Sequence, residues 1–124
     1  MNPANNYSVH DAAQRASHHM NLAIDLLKEK KDIHEGRNYM TSVVNILSGM
    51  NDYYAKNYII GVNADGSTQF QPSTVGSSAC YNYSRNIRNI AKLEECKRLL
   101  IVANPDVDFV IAVLKGDREL PNIK

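Results

Sequence analysis

Apolar side chains recur every three or four residues through the amino-terminal half of the chain. The first run comprises Val9, Ala13, Ala16, Met20, Ala23, Ile24 and Leu27, and the second comprises Ile33, Met40, Val43, Val44, Leu47, Met50 and Tyr54. This spacing predicts amphipathic helices over about residues 9–31 and 33–56. Because almost nothing separates the two runs, we expect an antiparallel helical hairpin.

Each predicted helix also begins with a capping pattern. Ser8 is followed three residues later by Asp11, and Asp32 is followed in the same way by Glu35. A short polar side chain at the N-cap and an acid in the first turn both satisfy the free amide groups at a helix start. The two starts are therefore expected at Val9 and Ile33.

The pattern changes over residues 59–78, a polar connection with one charged side chain, Asp65. The apolar stretches "YIIGV" and "STQF" flank the segment from Asn63 to Gly66, which has the composition of a turn. The connection can therefore form a small β-hairpin, or remain an ordered or mobile loop.

Two further helices are predicted in the carboxyl half, over about residues 79–103 and 105–115. Apolar positions of the first are Tyr83, Ile87, Ile90, Ala91, Leu93, Leu99 and Leu100. The second is expected to have Asn104 as its cap, Pro105 as its first residue and Gly116 as its stop. The tail from Asp117 onward is expected to be loosely attached.

Together these elements predict one all-α domain over residues 1–124. It is a four-helix bundle-like domain built on the amino-terminal hairpin. A length of 124 residues suits a single domain with one modest core.

Charge and hydropathy limit the classes of partner. The formal net charge is +1, so no long-range field favours a polyanion or an anionic membrane surface. The start of the chain lacks the pattern of a signal peptide, and the apolar runs "LLIVA" and "FVIAVL" are too short to span a bilayer. We therefore expect a cytoplasmic protein without a membrane partner, whose thiols Cys80 and Cys96 are reduced.

Residues that could carry catalysis or bind metal do not fall into a known motif. His10, His18, His19 and His34 include no pair at i and i+4, the spacing that aims two ligands from one helix face. No nucleophile motif, phosphate-binding glycine loop or calcium loop is present either. The sequence thus predicts no metal, no cofactor and no enzymatic activity, with a small enzyme of unrecognised site as the remaining alternative.

A basic face on the third helix is the main alternative to a protein-binding role. Arg85, Arg88 and Lys92 lie at i, i+3 and i+7, so they share one face, and Glu95 lies within reach of part of it. With Tyr81 and Tyr83 nearby, this face could bind nucleic acid. The competing interpretation is an ordinary amphipathic helix in which Ile87, Ile90 and Ala91 face the core.

Tyrosines indicate where a protein partner could bind. Tyr53, Tyr54 and Tyr58 cluster at the end of the second helix, while Tyr81 and Tyr83 begin the third. Tyrosine is favoured at surfaces that a partner covers. The leading interpretation is therefore a non-enzymatic, soluble helical protein–protein interaction module of adaptor, chaperone or inhibitor type. It would bind another protein or itself, as in a homodimer.

One segment of the chain resembles a known family. Residues 20–50, "MNLAIDLLKEKKDIHEGRNYMTSVVNILSGM", resemble the central helical hairpin of flagellin-type export chaperones. The shared features are an amphipathic helix, a short charged turn and a second helix with an Ile-Leu pair. The amino-terminal segment lacks that family's leucine-rich helix start, and the carboxyl half departs at the polar connection. The resemblance therefore implies no functional residue here.

Overall fold

The computed structural model describes residues 7–121, except for the side chain of Lys30. Its helices are α1 (Val9–Asp25), α2 (Ile33–Tyr58), α3 (Thr74–Leu99) and α4 (Val107–Lys115), with a π-helical turn over Leu26–Lys30. A two-stranded antiparallel sheet, β1 (Ile59–Val62) and β2 (Thr68–Phe70), connects α2 to α3. The fold is mostly α-helical, as the sequence predicts.

The two predicted caps form as expected. The Ser8 hydroxyl accepts a hydrogen bond from the Asp11 amide at 3.1 Å. A carboxylate oxygen of Asp32 accepts one from the Glu35 amide at 3.0 Å. Each bond satisfies a backbone donor that the first helical turn leaves free, so α1 begins at Val9 and α2 at Ile33.

The end of α1 differs from the prediction of a regular helix to residue 31. The regular helix ends at Asp25, a π-helical turn follows, and Lys31 closes it in the left-handed region at φ 53°. Leu27, within this turn, is completely buried. Its side chain packs over Gly36, where an added Cβ would lie 2.9 Å from Leu27 Cδ2. Gly36 thus occupies a helix interior because α1 and α2 approach closely there.

Of the two alternatives for the polar connection, the β-hairpin forms. β1 pairs with β2 from Ile59 opposite Phe70 to Val62 opposite Thr68, with an irregularity in between. Gly66 adopts φ 88° in the turn, a conformation open to glycine at little cost. The Asp65 carboxylate accepts hydrogen bonds from the amide and the hydroxyl of Ser67. These bonds hold the pKa of Asp65 below its usual value.

α3 begins and ends earlier in the chain than the helix predicted over residues 79–103. Ser73 is its N-cap, and the Ser73 hydroxyl accepts a hydrogen bond from the Gly76 amide at 3.0 Å. Gly76 lies against the segment that leaves the hairpin, since an added Cβ would come within 1.9 Å of the Gln71 carbonyl oxygen. The last helical residue is Leu99. The predicted start was wrong because the capping serine lies within a stretch that has the composition of a loop.

The cap predicted for the fourth helix is also wrong. Asn104 lies in the left-handed region at φ 52°, and Asp106 is the N-cap, accepting a hydrogen bond from the Phe109 amide at 3.0 Å. Gly116 ends α4 as predicted, at φ 85°. Leu120 is buried in the core, so the tail is anchored at least to this residue, contrary to the expectation of loose attachment. The rest of that tail, residues 122–124, lies outside the described residues.

The helices pack around α2, which contacts α1 on one side and α3 on the other. α4 contacts α1, the π-helical turn and α3. The core includes Ala12, Ala23, Leu27, Met40, Val43, Leu47, Met50, Tyr54, Leu93, Cys96, Val110 and Val113. The expectation that Ile87 and Ala91 face this core is wrong, because both are exposed and Asn86 is buried instead. Ile90 is half-buried and packs against the core.

Candidate partner-binding surface

A crevice of about 270 Å³ lies where α4 ends. Its lining includes Met20 of α1, Val43 and Leu47 of α2, Lys92 of α3 and Leu114 of α4. All four helices therefore contribute to it. We call this space the α4-end crevice.

A cationic cleft of about 450 Å³ adjoins this crevice, because Asn89 and Lys92 line both. Its charged lining consists of Arg88, Lys92, Arg118 and a single carboxylate, Glu119. We call Arg88, Lys92 and Arg118 the cationic rim. α3 supplies two of its members, and the segment after α4 supplies the third.

The rim continues along one flank of α3. Tyr81, Arg85, Arg88 and Lys92 follow one another at spacings of four, three and four residues, which places them in one row on a helix. The guanidinium of Arg85 lies 5.6 Å from the centre of the Tyr81 ring, within range of a cation–π contact. Arg85 and Arg88 are exposed, and Lys92 is half-buried.

Ion pairs form elsewhere on α3. Lys97 Nζ lies 3.2 Å from Glu94, and Arg98 Nε donates to Glu95 at 2.9 Å. The bond from Arg98 holds the pKa of the Glu95 carboxyl below its usual value. Within residues 7–121, no ion pair involves Arg85, Arg88 or Lys92. The predicted partial compensation of this face by Glu95 is therefore wrong, since Glu95 pairs with the arginine one turn later.

Of the five tyrosines proposed for partner binding, four pack against other aromatic rings and one is exposed. Tyr53, Tyr54 and Tyr58 pack on one another with ring centres 6.2–6.4 Å apart, and Tyr7 stacks on Tyr53 at 4.9 Å. Tyr83 packs edge-on against Phe70 of the hairpin at 5.5 Å. Tyr81, in contrast, is 61% exposed.

Packing alters the acidity of this aromatic cluster. Burial raises the pKa values of the Tyr7, Tyr53 and Tyr54 hydroxyls above their usual value of 10.0. Their rings mainly join the end of α2 to the start of α1. Two of the proposed tyrosines lie near Arg85 of the cationic row: Tyr81, whose ring contacts its guanidinium, and Tyr54, whose pKa is raised by burial and lowered in part by Arg85.

One histidine contacts a potential nucleophile, which the sequence alone did not indicate. His19 Nδ1 and Ser42 Oγ form a hydrogen bond of 2.6 Å, and the His19 ring packs edge-on against Tyr39. Among the described residues, no carboxylate hydrogen bonds to His19. Ser42 lies within α2, where the neighbouring backbone amides serve the helix. The arrangement thus joins α1 to α2, without the oriented base that acyl-transfer chemistry requires.

Over residues 7–121, no group of three or more histidine, cysteine or acidic side chains is placed to hold a metal ion. In the same range, no helix is both long enough and apolar enough to cross a membrane. Cys80 and Cys96 lie on α3 as free thiols.

Comparison with known proteins gives no match among family models, curated proteins or solved structures.

Proposed function

We propose that this chain is a non-enzymatic protein–protein interaction module that holds a segment of its partner in the α4-end crevice and against the cationic rim. The observation that supports the proposal is the joining of an apolar crevice to a group of cations that have no described ion-pair partner. Apolar contact and charge complementarity together are the means by which protein surfaces gain affinity and select partners.

The apolar part of the crevice lining favours a protein over a nucleic acid. Val43, Leu47 and Leu114 are mostly buried and line the crevice with methyl groups, which suit the apolar side chains of a protein. A nucleic-acid phosphate backbone would gain nothing from these groups, since its affinity comes mainly from cations and aromatic platforms. Met20 completes the apolar lining and can adapt its shape to a partner, as methionine does at many binding surfaces.

Site-specific photo-crosslinking in the native host tests the proposal. A photoreactive amino acid replaces Met20 at the crevice, and a matched control replaces Ile87, which is 49% exposed and does not line it. We expect covalent protein adducts from position 20 and not from position 87. The adduct mass separates a second copy of this chain from a different protein. Adducts from position 87 alone, or from neither position, would contradict the proposal.

Nucleic-acid binding is the second candidate, and the Tyr81–Arg85 stack at the end of the cationic row favours it. This function predicts association with an oligonucleotide that weakens steeply with salt. The test is the affinity of the wild-type chain and of the triple variant Arg85→Glu, Arg88→Glu, Lys92→Glu for a single-stranded oligonucleotide. Equal affinity of the two chains would exclude this row as the binding site.

A further inference from the structure

We infer that the segment held in the α4-end crevice is an amphipathic helix with acidic residues in its first turn. This inference rests on the proposed function, because it names the partner for the same surface. It follows from two features of the bundle: the side chains around the crevice and the charge of the rim.

Side chains near the crevice suit close approach of a helix. α1 presents Ala13 and Ser17 as exposed small residues, and half-buried Met20 follows on the same side. Small side chains allow the backbones of packed helices to come together, while a larger apolar side chain fills the gap between them. A partner with apolar residues three and four positions apart would contact Met20 and Leu114 with one stripe.

The charge of the rim determines the chemistry of the helix. Arg88, Lys92 and Arg118 line one cleft, with Glu119 as its single carboxylate. The Arg118 guanidinium also lies 5.3 Å from the centre of the Phe109 ring. Acidic residues are favourable in the first turn of a helix, and there they would face these cations.

Two synthetic peptides of about 16 residues, long enough for several helical turns, provide the test. Both carry the same stripe of leucine and alanine, and they differ in having glutamate or lysine in the first turn. Fluorescence anisotropy measures their binding to the wild-type chain, to Lys92→Glu and to the control Lys28→Glu, an exposed lysine outside the crevice. We expect the glutamate peptide to bind the wild type about tenfold more tightly than the lysine peptide, because like charges repel at the rim.

Lys92→Glu should remove or reverse the preference for the glutamate peptide, whereas Lys28→Glu should keep it. Circular dichroism first establishes that both variants are folded. Equal binding of the two peptides, absence of binding by the glutamate peptide, or an order that Lys92→Glu leaves unchanged would each overturn the inference. Displacement of the glutamate peptide by a single-stranded oligonucleotide at lower concentration than by unlabelled peptide would also overturn it, in favour of nucleic acid.

The photo-crosslinking experiment distinguishes this inference from the proposed function. Adducts from position 20 without preference for the glutamate peptide would retain the interaction module and reject the acidic helix. If position 20 gives no adducts and the glutamate peptide is not preferred, both the acidic helix and the interaction module are rejected.

Discussion

Asn51 of α2 and Asn86 of α3 contact each other inside the bundle. Asn86 Nδ2 donates a hydrogen bond to Asn51 Oδ1 at 3.0 Å, and Asn51 Nδ2 donates to the Tyr83 carbonyl oxygen at 3.2 Å. Asn51 is 9% exposed and Asn86 is 2% exposed. Buried amides are costly unless they are hydrogen bonded, so this pair favours one register between α2 and α3.

A double-mutant cycle on this pair should show strong coupling. Asn86→Leu leaves the Asn51 Oδ1 oxygen without its hydrogen-bond donor, so we expect the free energy of unfolding to fall by about 1–3 kcal/mol. Asn51→Leu should cost a similar amount, while the double variant should cost less than the sum of the two. Urea denaturation measures all four proteins. Additive losses would show that the two amides do not depend on each other.

Two glycines in helices should respond in opposite directions to alanine. Gly76→Ala forces a Cβ against the Gln71 carbonyl, and we expect a loss of stability of about 1–3 kcal/mol or more. Gly49→Ala places its Cβ in open space within α2, so it should raise the stability by up to about 1 kcal/mol. Thermal denaturation of both variants measures the contrast. A stable Gly76→Ala protein would contradict the close approach of the hairpin segment to α3.

The buried thiol of Cys96 should make the protein less stable in alkali. Burial raises its pKa from 9.0 to about 11. Between these values the unfolded chain loses the thiol proton and the folded chain retains it, so stability falls as the pH rises. The maximum loss is about 2–3 kcal/mol, from the conversion of pKa shifts into free energy. Urea denaturation from pH 8 to 11 measures it.

Cys96→Ala is the control for this titration. Its stability at pH 8 should be lower because a buried side chain is shortened, but its fall between pH 9 and 11 should be smaller. The buried tyrosine hydroxyls contribute a further fall above pH 10 in both proteins, because their pKa values are also raised. Identical pH profiles for the wild type and the variant would exclude Cys96 as a source of the alkaline loss.

The His19–Ser42 contact should not behave as a catalytic dyad. Because Ser42 lies within a helix, we expect a fluorophosphonate probe to leave it unlabelled, as detected by intact-protein mass spectrometry. A serine hydrolase in the same tube serves as the positive control. Labelling that disappears in both Ser42→Ala and His19→Ala would contradict this expectation and support the enzyme alternative.

The helices of the amino-terminal hairpin could be predicted because their apolar period and their caps agree. α3 could not be predicted as fully, since its pattern misleads: Ile87 is apolar but exposed, while Asn86 is polar but buried. The partner that makes burial of Asn86 acceptable is Asn51, 35 residues earlier in the chain. No local pattern contains that relationship.

The candidate surface was likewise only partly predictable. The row of Arg85, Arg88 and Lys92 follows from helical spacing alone. Arg118 joins the rim from the segment after α4, and the crevice brings Leu114 of α4 together with residues of the other three helices. These are relationships between elements distant in sequence, which periodicity does not describe.

The central position of α2 also determines how this protein can open. α1 and α3 pack mainly on α2, and the short α4 contacts both, so we expect either outer helix to detach while the other keeps its contacts with α2. Local openings of this kind are seen as amide hydrogen exchange below the global unfolding free energy. A partner helix lying across Met20 and Lys92 would bridge the two outer helices. Its binding would slow amide hydrogen exchange in α1 and α3 together, so that the two helices would open as one cooperative unit.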